Sequence, residues 1–488
     1  MDIALAAFLG ALAAFACVLV LALALRARIG LVLLRAFSGR LVQFLSQRFY
    51  PNNLFGALNL VRHVGLQNLV ETMLRANQGT NFQRPWGSPL ALSPWEQLLF
   101  QPVYLSPRLP TPKDAEIATD VVIGPRAGRP LALKIPILVS GMAFGGAITE
   151  EVKLAWAKGA NLAGTATNTG ESYLPSERRA AEHLIVQLTR GLWAHSTMNQ
   201  RELLESADAI EVNLGEGAQS SAPVRTPPDH VGPRMREVFG LAQGEALQVS
   251  TRLRGVDAPA DFVRLVFDLK SRHEVPVGVK VGAGDYLEQD LDLFVEAGVD
   301  FVVLDGAEGG THGSPTALSD DVGIPTMHAI ARADRHLRRR GARAGLSLIA
   351  TGQLTTPGRL LKALALGADA VYIGTTASLA ILTDQVERIP ILHPGRRAWT
   401  WQLDVDAAAG HLATYLESCM GEIRDVVRTL GKTSVAEVGR EDLVALTRDA
   451  AEIAGVRLAW SRPVADILKD IVHSVDEALP EREELLPR

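Results

Sequence analysis

Eight short apolar runs recur along the chain between residues 135 and 375, separated by polar or glycine-rich loops and by segments with helical periodicity. Each run is almost continuously apolar, which is typical of parallel strands covered by helices on both faces. Eight strand–helix units in about 240 residues predict an α/β fold, a (β/α)8 TIM barrel. The runs are IPILVS (135–140), LAGTATN (162–168), LIVQL (184–188), AIEVNL (209–214), PVGVKV (276–281), FVVLDG (301–306), LSLIATG (346–352) and AVYIGT (370–375).

A doubly wound sheet is the alternative architecture for this pattern. It would usually carry a glycine-rich dinucleotide turn after its first strand. The chain contains no G-x-G-x-x-G, and it also lacks the Walker A, H-E-x-x-H and C-x-x-C motifs. The barrel is therefore the favoured prediction.

A different pattern occupies the N-terminus, where the 23 residues from Ile3 to Leu25 carry no charge. As a helix this run would be about 35 Å long, enough to cross a hydrocarbon core of about 30 Å. A cleaved signal peptide is the alternative, but the acidic Met-Asp start and the long run argue against it. The arginines that follow predict that the rest of the chain is cytoplasmic; they are Arg26, Arg28, Arg35, Arg40 and Arg48.

These patterns divide the chain into four predicted segments. Residues 1–28 are a single-pass N-terminal transmembrane anchor, and residues 29–130 are an amphipathic and irregular lead-in. Within that lead-in, residues 29–45 are either an interfacial helix or a plain helix that caps the domain. Residues 131–380 form the barrel, and residues 381–488 form a C-terminal helical extension.

Composition narrows the possible functions. With 49 basic and 54 acidic residues the net charge is −5, which does not favour nucleic-acid binding. Two cysteines exclude a disulfide framework and any cluster that needs three or four thiolates, and we predict no metal site. The 47% of hydrophobic residues supply a large core.

Candidate chemistry gathers where the predicted strands end, because barrel active sites are built there. Lys280 lies inside an apolar strand, where an unpaired charge is costly. It either forms a structural ion pair or faces an anionic or electron-rich ligand. Gly352, Gly374 and Thr375 fit a phosphate site of backbone N–H groups, although turn glycines are the alternative. His312 is either a proton carrier or a solvated loop residue. These features favour a phosphate-bearing planar cofactor at the barrel mouth.

The residues around these positions resemble a known family. The motifs SGMAFGG, ITEEVKLAWAKGANLAG, NTGE, ADAIE, VGVKV, LDGAEGGTHGSP and LLKALALGADAVYIGT, in this order over about residues 85–445, are similar to the FMN-binding synthase domain of glutamate synthases. In that family, reduced FMN gives a hydride to 2-iminoglutarate, formed from 2-oxoglutarate and ammonia. The resemblance implies that FMN is the cofactor of this chain too.

The resemblance also implies roles for individual residues. Lys280 and Glu171 are implied as catalytic, and the substrate would contact Glu171, Glu211, Asp305 and Thr311. The implied cofactor contacts are Ser140, Gly141, Met142, Ala143, Asn168, Thr169, Gln187, Lys280, Gly309, Gly310, Gly352, Gln353, Gly374 and Thr375.

The chain departs from the family pattern in several places. No glutaminase domain precedes the barrel, and the cysteine-rich segment after the eighth strand is replaced by ILHPGRRAWTWQ, so we expect no Fe–S cluster. The loop after the fourth strand is shortened to GEGAQSSAP, and Thr351 replaces an acidic residue. Ammonia and electrons would then come from a partner or a diffusible donor.

Three hypotheses remain open from the sequence. The first is a membrane-anchored FMN oxidoreductase of the glutamate synthase type. The second is an FMN oxidoreductase that acts on a different small molecule, lipidic or quinone-linked. The third is a catalytically idle barrel that serves as a membrane-tethered scaffold.

Overall fold

The computed structural model describes residues 53–78, 83–105, 107–191, 200–311, 313–383 and 403–461. The chain divides into two compact units, Met1–Phe82 and Gln83–Arg488. The described part of the first unit consists of two helices, α1 (Asn53–Val64) and α2 (Leu66–Gln78). Among the described residues no helix is long and apolar enough to cross a membrane. The predicted anchor, residues 1–28, and the predicted helix 29–45 lie outside the described residues.

The second unit contains one eight-stranded sheet in which all neighbouring strands are parallel. Its strands are β1 (Ile137–Val139), β2 (Thr167–Asn168), β3 (Leu184–Leu188), β4 (Ala209–Asn213), β5 (Val277–Gly282), β6 (Phe301–Asp305), β7 (Ser347–Thr351) and β8 (Ala370–Ile373). Their spatial order is β1-β8-β7-β6-β5-β4-β3-β2. The Val139 N–H donates to Ala166 O at 3.0 Å, so the two edge strands also meet. The predicted (β/α)8 barrel is confirmed.

Every predicted apolar run overlaps one of these strands, but the second run is mostly not a strand. Its first residues, Leu162 and Ala163, end the helix that precedes β2. Gly164 stops that helix in the left-handed conformation, with φ of 68°, and only Thr167–Asn168 pair with β3. The alternation of alanine, glycine and threonine in this run did not distinguish a helix end from a strand.

Helices separate the strands and cover the barrel. The helices of the second unit are α3 (Glu150–Ala163), α4 (Pro175–Ala180), α5 (Gln200–Glu205), α6 (Pro233–Phe239), α7 (Pro259–Arg272), α8 (Leu287–Ala297), α9 (Thr316–Asp321), α10 (Thr326–Arg339), α11 (Pro357–Ala365), α12 (Thr375–Ile381), α13 (Val405–Thr429) and α14 (Arg448–Ala454).

The lower end of the barrel, at the N-terminal ends of the strands, is closed by a hairpin of Val121–Ile123 and Leu131–Leu133. The buried side chains of this hairpin belong to the same apolar cluster as Leu138, Phe301 and Ile349 of the barrel strands. Because apolar side chains fill this end, a ligand cavity must lie at the opposite end, where the strands terminate.

The C-terminal extension packs on the barrel. The sequence predicted that this extension is helical, but it also contains strands. The long predicted helix is present as α13, and its backbone lies so close to α3 that a Cβ added to Gly159 would be 2.9 Å from Ala409 O. Beyond it, strand Leu443–Ala445 pairs with Leu98–Phe100 and with Arg457–Leu458. This buried apolar run joins the lead-in to the extension.

One buried carboxylate ties the extension to the barrel. Asp334 in α10, with its side chain only 1% exposed, accepts from Arg338 Nε at 2.9 Å, Arg343 Nε at 3.1 Å and Arg440 Nη1 at 2.8 Å. Arg440 belongs to the extension. Burial lowers the pKa of Arg440 and Asp334 opposes that effect, so the pair depends on the carboxylate charge.

We predict that Asp334→Asn lowers the free energy of unfolding by about 3 kcal/mol, because removing one partner leaves buried guanidinium groups uncompensated. Urea unfolding of the purified protein measures the effect. The matched control is Asp292→Asn, where a 42% exposed carboxylate pairs with His336 and Arg340; it should cost less than about 1 kcal/mol. Equal losses in the two variants would contradict this account.

Candidate functional site

A cavity of about 300 Å³ opens at the carboxyl ends of the barrel strands. One wall is the turn Ser140–Ala143, which follows β1 and consists mainly of small residues. A second side comes from Gly352 and Gln353 after β7 and from Gly374 and Thr375 after β8. The acidic and basic side chains of the cavity come from β5, from β6 and the loop that follows it, from the segment after β4 and from the turn after β2.

The small-residue wall is fixed by close backbone packing. A Cβ added to Gly141 would lie 2.5 Å from Asn168 Oδ1, and one added to Gly170 would lie 2.7 Å from the Met142 carbonyl carbon. Gly170 also has φ of 60°, a conformation that favours glycine. The turn after β2 therefore lies directly against the wall and leaves no room for larger residues at these two positions.

Lys280 of β5 is the central charge of the cavity. Its side chain is 5% exposed, and Nζ lies 3.4 Å from Glu216 Oε1 and 3.4 Å from Asp305 Oδ2. Burial alone lowers the pKa of Lys280, but Glu216, Asp305 and Glu211 outweigh it, so the pKa lies above its usual value. The side chain is thus ion-paired, as one of the two interpretations predicted, and it also lies on the cavity lining.

Two carboxyl groups of the cavity have pKa values above their usual range. Burial, together with the nearby charge of Glu216, raises the pKa of Glu171 to about 7, although Arg190, Lys280 and a 3.0 Å hydrogen bond from Thr189 Oγ1 oppose the shift. Burial raises the pKa of Asp305 to about 6 against the opposing charge of Lys280. Glu171 can therefore accept or release a proton near neutral pH.

Below the cavity, a hydrogen-bond network links the strands. Gln187 Nε2 donates to Glu211 Oε1 at 2.7 Å, and Tyr372 Oη donates to Glu211 Oε2 at 3.0 Å. Asn168 Nδ2 donates to Tyr372 Oη at 3.2 Å, and Asn213 Nδ2 donates to Gln187 Oε1 at 3.2 Å. Burial and Glu211 raise the pKa of Tyr372, so its hydroxyl stays protonated as a donor. The network holds the side chains at the bottom of the cavity in fixed positions.

Most of the residues that the sequence singled out lie together on the cavity lining. These are Ser140, Gly141, Met142, Ala143, Glu171, Gln187, Lys280, Asp305, Gly310, Thr311, Gly352, Gln353, Gly374 and Thr375. Four others are not on the lining: Glu211 lies in the network below it, Asn168 and Thr169 lie in the turn behind the wall, and Gly309 packs against Asp305. His312 lies outside the described residues.

Several lining residues were not among the predicted site residues, including Trp86, Glu308 and Tyr372. Trp86 comes from the lead-in, where Gln83–Arg84 pair with Ser314–Pro315 of the loop after β6, and its N–H donates to Thr311 O at 2.9 Å. Its φ of 70° is rare for a tryptophan and marks a position held by its surroundings. No local pattern in the sequence signals this long-range contact.

Glu308 was part of the quoted loop after β6, but its role depends on distant residues. One of its carboxylate oxygens accepts from Ser93 Oγ, and the other accepts from the Thr326 N–H at 3.0 Å at the start of α10. Gln353, with φ of 49°, donates from Nε2 to Ser88 O at 2.6 Å. The lead-in therefore braces the β6 and β7 loops.

The fold and the site define a (β/α)8-barrel protein with a buried, charged cavity at the carboxyl ends of its strands. The family profile described as "Conserved region in glutamate synthase" matches residues 111–433, and the chain belongs to the glutamate synthase family. It is 34% identical over 366 residues to a glutamate synthase large subunit-like protein of Rhizobium meliloti, covering 70% of this chain and 82% of that protein.

A second relative is an archaeal-type glutamate synthase (NADPH) of Thermotoga neapolitana, 30% identical over 334 residues. That match covers 66% of this chain and 64% of the relative's length, so the chain spans a little less than two thirds of it. Among solved structures, a mutant of flavocytochrome b2 with benzoylformate aligns with a TM-score of 0.51 at 19% identity, covering 78% of this chain and 84% of that one. This likeness shows the shared fold.

The raised pKa of Glu171 predicts a pH dependence of stability. A carboxyl group that binds its proton more tightly in the folded state stabilises the fold at low pH and loses that contribution as the pH rises from 4.5 towards 7. Glu171→Gln should therefore reduce the loss of unfolding free energy between pH 5 and pH 8 by up to about 3 kcal/mol. Urea unfolding at both pH values measures it.

The control for this prediction is Glu151→Gln, which makes the same substitution at an exposed position outside the cavity. Asp305 continues to titrate in both variants, so some pH dependence remains. A Glu171→Gln protein with the same pH dependence as the wild type would contradict the assignment.

Proposed function

We propose that the chain is an FMN-dependent oxidoreductase of the glutamate synthase type. In this proposal it reduces 2-iminoglutarate, formed from 2-oxoglutarate and ammonia, to glutamate. The observation that carries the proposal is the position of Lys280, which lines the same cavity as the small-residue wall and as Glu171, a carboxyl group that can exchange a proton. Family membership supports the same conclusion.

The residues of the cavity fit FMN. The wall Ser140–Ala143 suits an aromatic ring, because three of its four residues are small and Met142 is its one large side chain. Gly352 has φ of 120°, and a Cβ there would lie 2.3 Å from Thr326 Oγ1, so only glycine fits this turn. Thr376, which follows Thr375 in the chain, adds a second hydroxyl side chain to the lining at this turn.

When bound, FMN would supply the hydride. The Lys280 ammonium would stabilise negative charge that develops on the adjacent ring or substrate. Glu216 and Asp305 would hold that ammonium in place and keep it charged. Glu171, with a pKa of about 7, would exchange a proton with the substrate nitrogen. The lead-in around Trp86 would restrict access of water to the cavity.

The charge of the lining favours a second candidate function. Four carboxyl groups lie on the described lining, those of Glu171, Glu216, Asp305 and Glu308, whereas Lys280 is the one cationic side chain there. A dianion such as 2-oxoglutarate meets net repulsion in such a cavity. This favours an FMN oxidoreductase that acts on a less anionic molecule, such as a quinone or a lipid. A catalytically idle scaffold is the remaining hypothesis.

One experiment separates these functions. The purified full chain is denatured to release any chromophore, and the intact protein is then reduced without oxygen and mixed with candidate acceptors. Released FMN and reoxidation by 2-oxoglutarate with ammonium would support glutamate formation. Reoxidation by a quinone alone would favour the second candidate. A colourless protein that cannot be reconstituted with FMN would refute both and favour the scaffold.

Replacing the central lysine tests its role. Lys280→Ala should stay folded, because Asp305 can take up a proton, and should turn over roughly 10²–10³-fold more slowly, as when one preorganised donor is removed. Stopped-flow reoxidation of the reduced flavin measures the rate. Lys270→Ala, which removes a half-exposed partner of Asp300 on the barrel surface, should keep the normal rate. An unchanged rate in Lys280→Ala refutes the role.

We also propose that the chain is held at the membrane by residues 1–28, with the barrel in the cytoplasm and an electron-donor or ammonia-supplying protein as partner. The uncharged run Ile3–Leu25 supports the anchor. The full chain should sediment with membranes and resist a salt wash, whereas a variant without residues 1–28 should stay in the supernatant. Recovery of the full chain in the wash would overturn the anchor.

A further inference from the structure

We propose that Lys153, which lies outside the cavity, is a positioning residue that holds the cofactor wall in place by binding the backbone of the β2 turn from behind. This inference rests on the proposed function, because the wall is the surface assigned to FMN. The resemblance implied that Asn168 and Thr169 contact the cofactor, whereas this proposal gives them an indirect role. Their carbonyl groups are what Lys153 binds.

The ammonium of Lys153 is fully satisfied inside the protein. The side chain belongs to α3 and is 0% exposed, and Nζ donates to Asn168 O at 3.0 Å, Thr169 O at 2.6 Å and Glu177 Oε1 at 3.1 Å. An ammonium has three protons, and each has one acceptor here. Three directed bonds fix the turn after β2 relative to α3 and α4.

The other side of that turn supports the wall. The Gly170 N–H donates to Asn168 Oδ1 at 2.8 Å, which closes the turn. Gly170 lies against the backbone of Met142, and Gly141 lies against Asn168. Glu171 follows directly in the chain. A shift of the carbonyl groups that Lys153 holds would therefore move both the wall and the proton-exchanging carboxyl group.

The shortness of β2 explains why such a clamp is needed. This strand has two residues, and its ladder to β3 consists of the pairs Thr167–Leu184 and Asn168–Ile185. Just beyond the strand the Thr169 N–H donates to Ile185 O at 3.0 Å, so β3 holds this N–H group while Lys153 holds the carbonyl groups. A buried ion pair is an expensive way to gain stability, since an apolar pair of equal size is often as good. An apolar pair, however, cannot donate hydrogen bonds to two carbonyl groups.

Three variants separate positioning from stability. Lys153→Met removes the partner of the buried Glu177, so it should lower the urea midpoint and is informative only about folding. Glu177→Gln also breaks the buried pair and should lower the midpoint, but it leaves both carbonyl groups as acceptors for Lys153. The double variant Lys153→Met with Glu177→Gln removes the unpaired charge, regains most of the urea midpoint, and still lacks the clamp.

The first measurement is the dissociation constant of FMN, titrated into the deflavinated full chain. Glu177→Gln should stay within about twofold of the wild type, and the double variant should bind FMN at least about tenfold more weakly, because small displacements at a site cost large factors. Lys158→Met, on the exposed face of the same helix, is the control and should bind normally. Normal FMN binding by the double variant would overturn the proposal.

The second measurement does not depend on the flavin. The difference in urea midpoint between pH 5 and pH 8 includes the titrations of Glu171 and Asp305. Adding Glu171→Gln to the double variant and to Glu177→Gln isolates the part of that difference that Glu171 contributes. The clamp predicts that the Glu171 contribution changes when Lys153 is lost, and identical contributions would overturn it. If the wild type binds no FMN, the proposed function fails, while this measurement still decides whether Lys153 positions the turn.

Discussion

The charge of Lys280 inside the barrel is the constraint that determines which side chains surround the cavity at the carboxyl ends of the strands. Removing an ammonium from water is costly, so β5 can carry one only if carboxylates from neighbouring elements accompany it. Asp305 comes from β6 and Glu216 from the segment after β4, both at 3.4 Å. Burial raises the pKa of Glu171 nearby, and the charge of Glu216 adds to that effect. The buried Lys280 ammonium and the carboxylates that accompany it thus influence the pKa values of the carboxyl groups in the cavity.

The surrounding fold holds these charged side chains in position. The apolar hairpin closes the opposite end of the barrel, so the polar layer forms only at the mouth. The network through Glu211, Gln187 and Tyr372 joins β3, β4 and β8 below the lysine. The lead-in braces the β6 and β7 loops from above through Ser93, Trp86 and Ser88. The lining of the site is therefore built from segments spread between Trp86 and Thr376.

The barrel and most of its mouth could be predicted from the sequence because both depend on local patterns. Buried parallel strands read as continuous apolar runs, and polar residues at their carboxyl ends must meet at one edge. Trp86 could not be predicted, because its place depends on pairing between segments more than 200 residues apart in the chain. The extent of β2 and the strand Leu443–Ala445 were missed because short apolar runs do not distinguish helix from strand.

The most direct test of this account is an experimental structure of the full chain with FMN bound. The account predicts the ring against Gly141 and Met142 beside Lys280, and the phosphate at the turns that contain Gly352 and Thr375. The Lys153 bonds to Asn168 and Thr169 should be intact in the same structure. FMN bound at another surface, or a cavity that stays free of FMN at saturating concentration, would contradict the central claim.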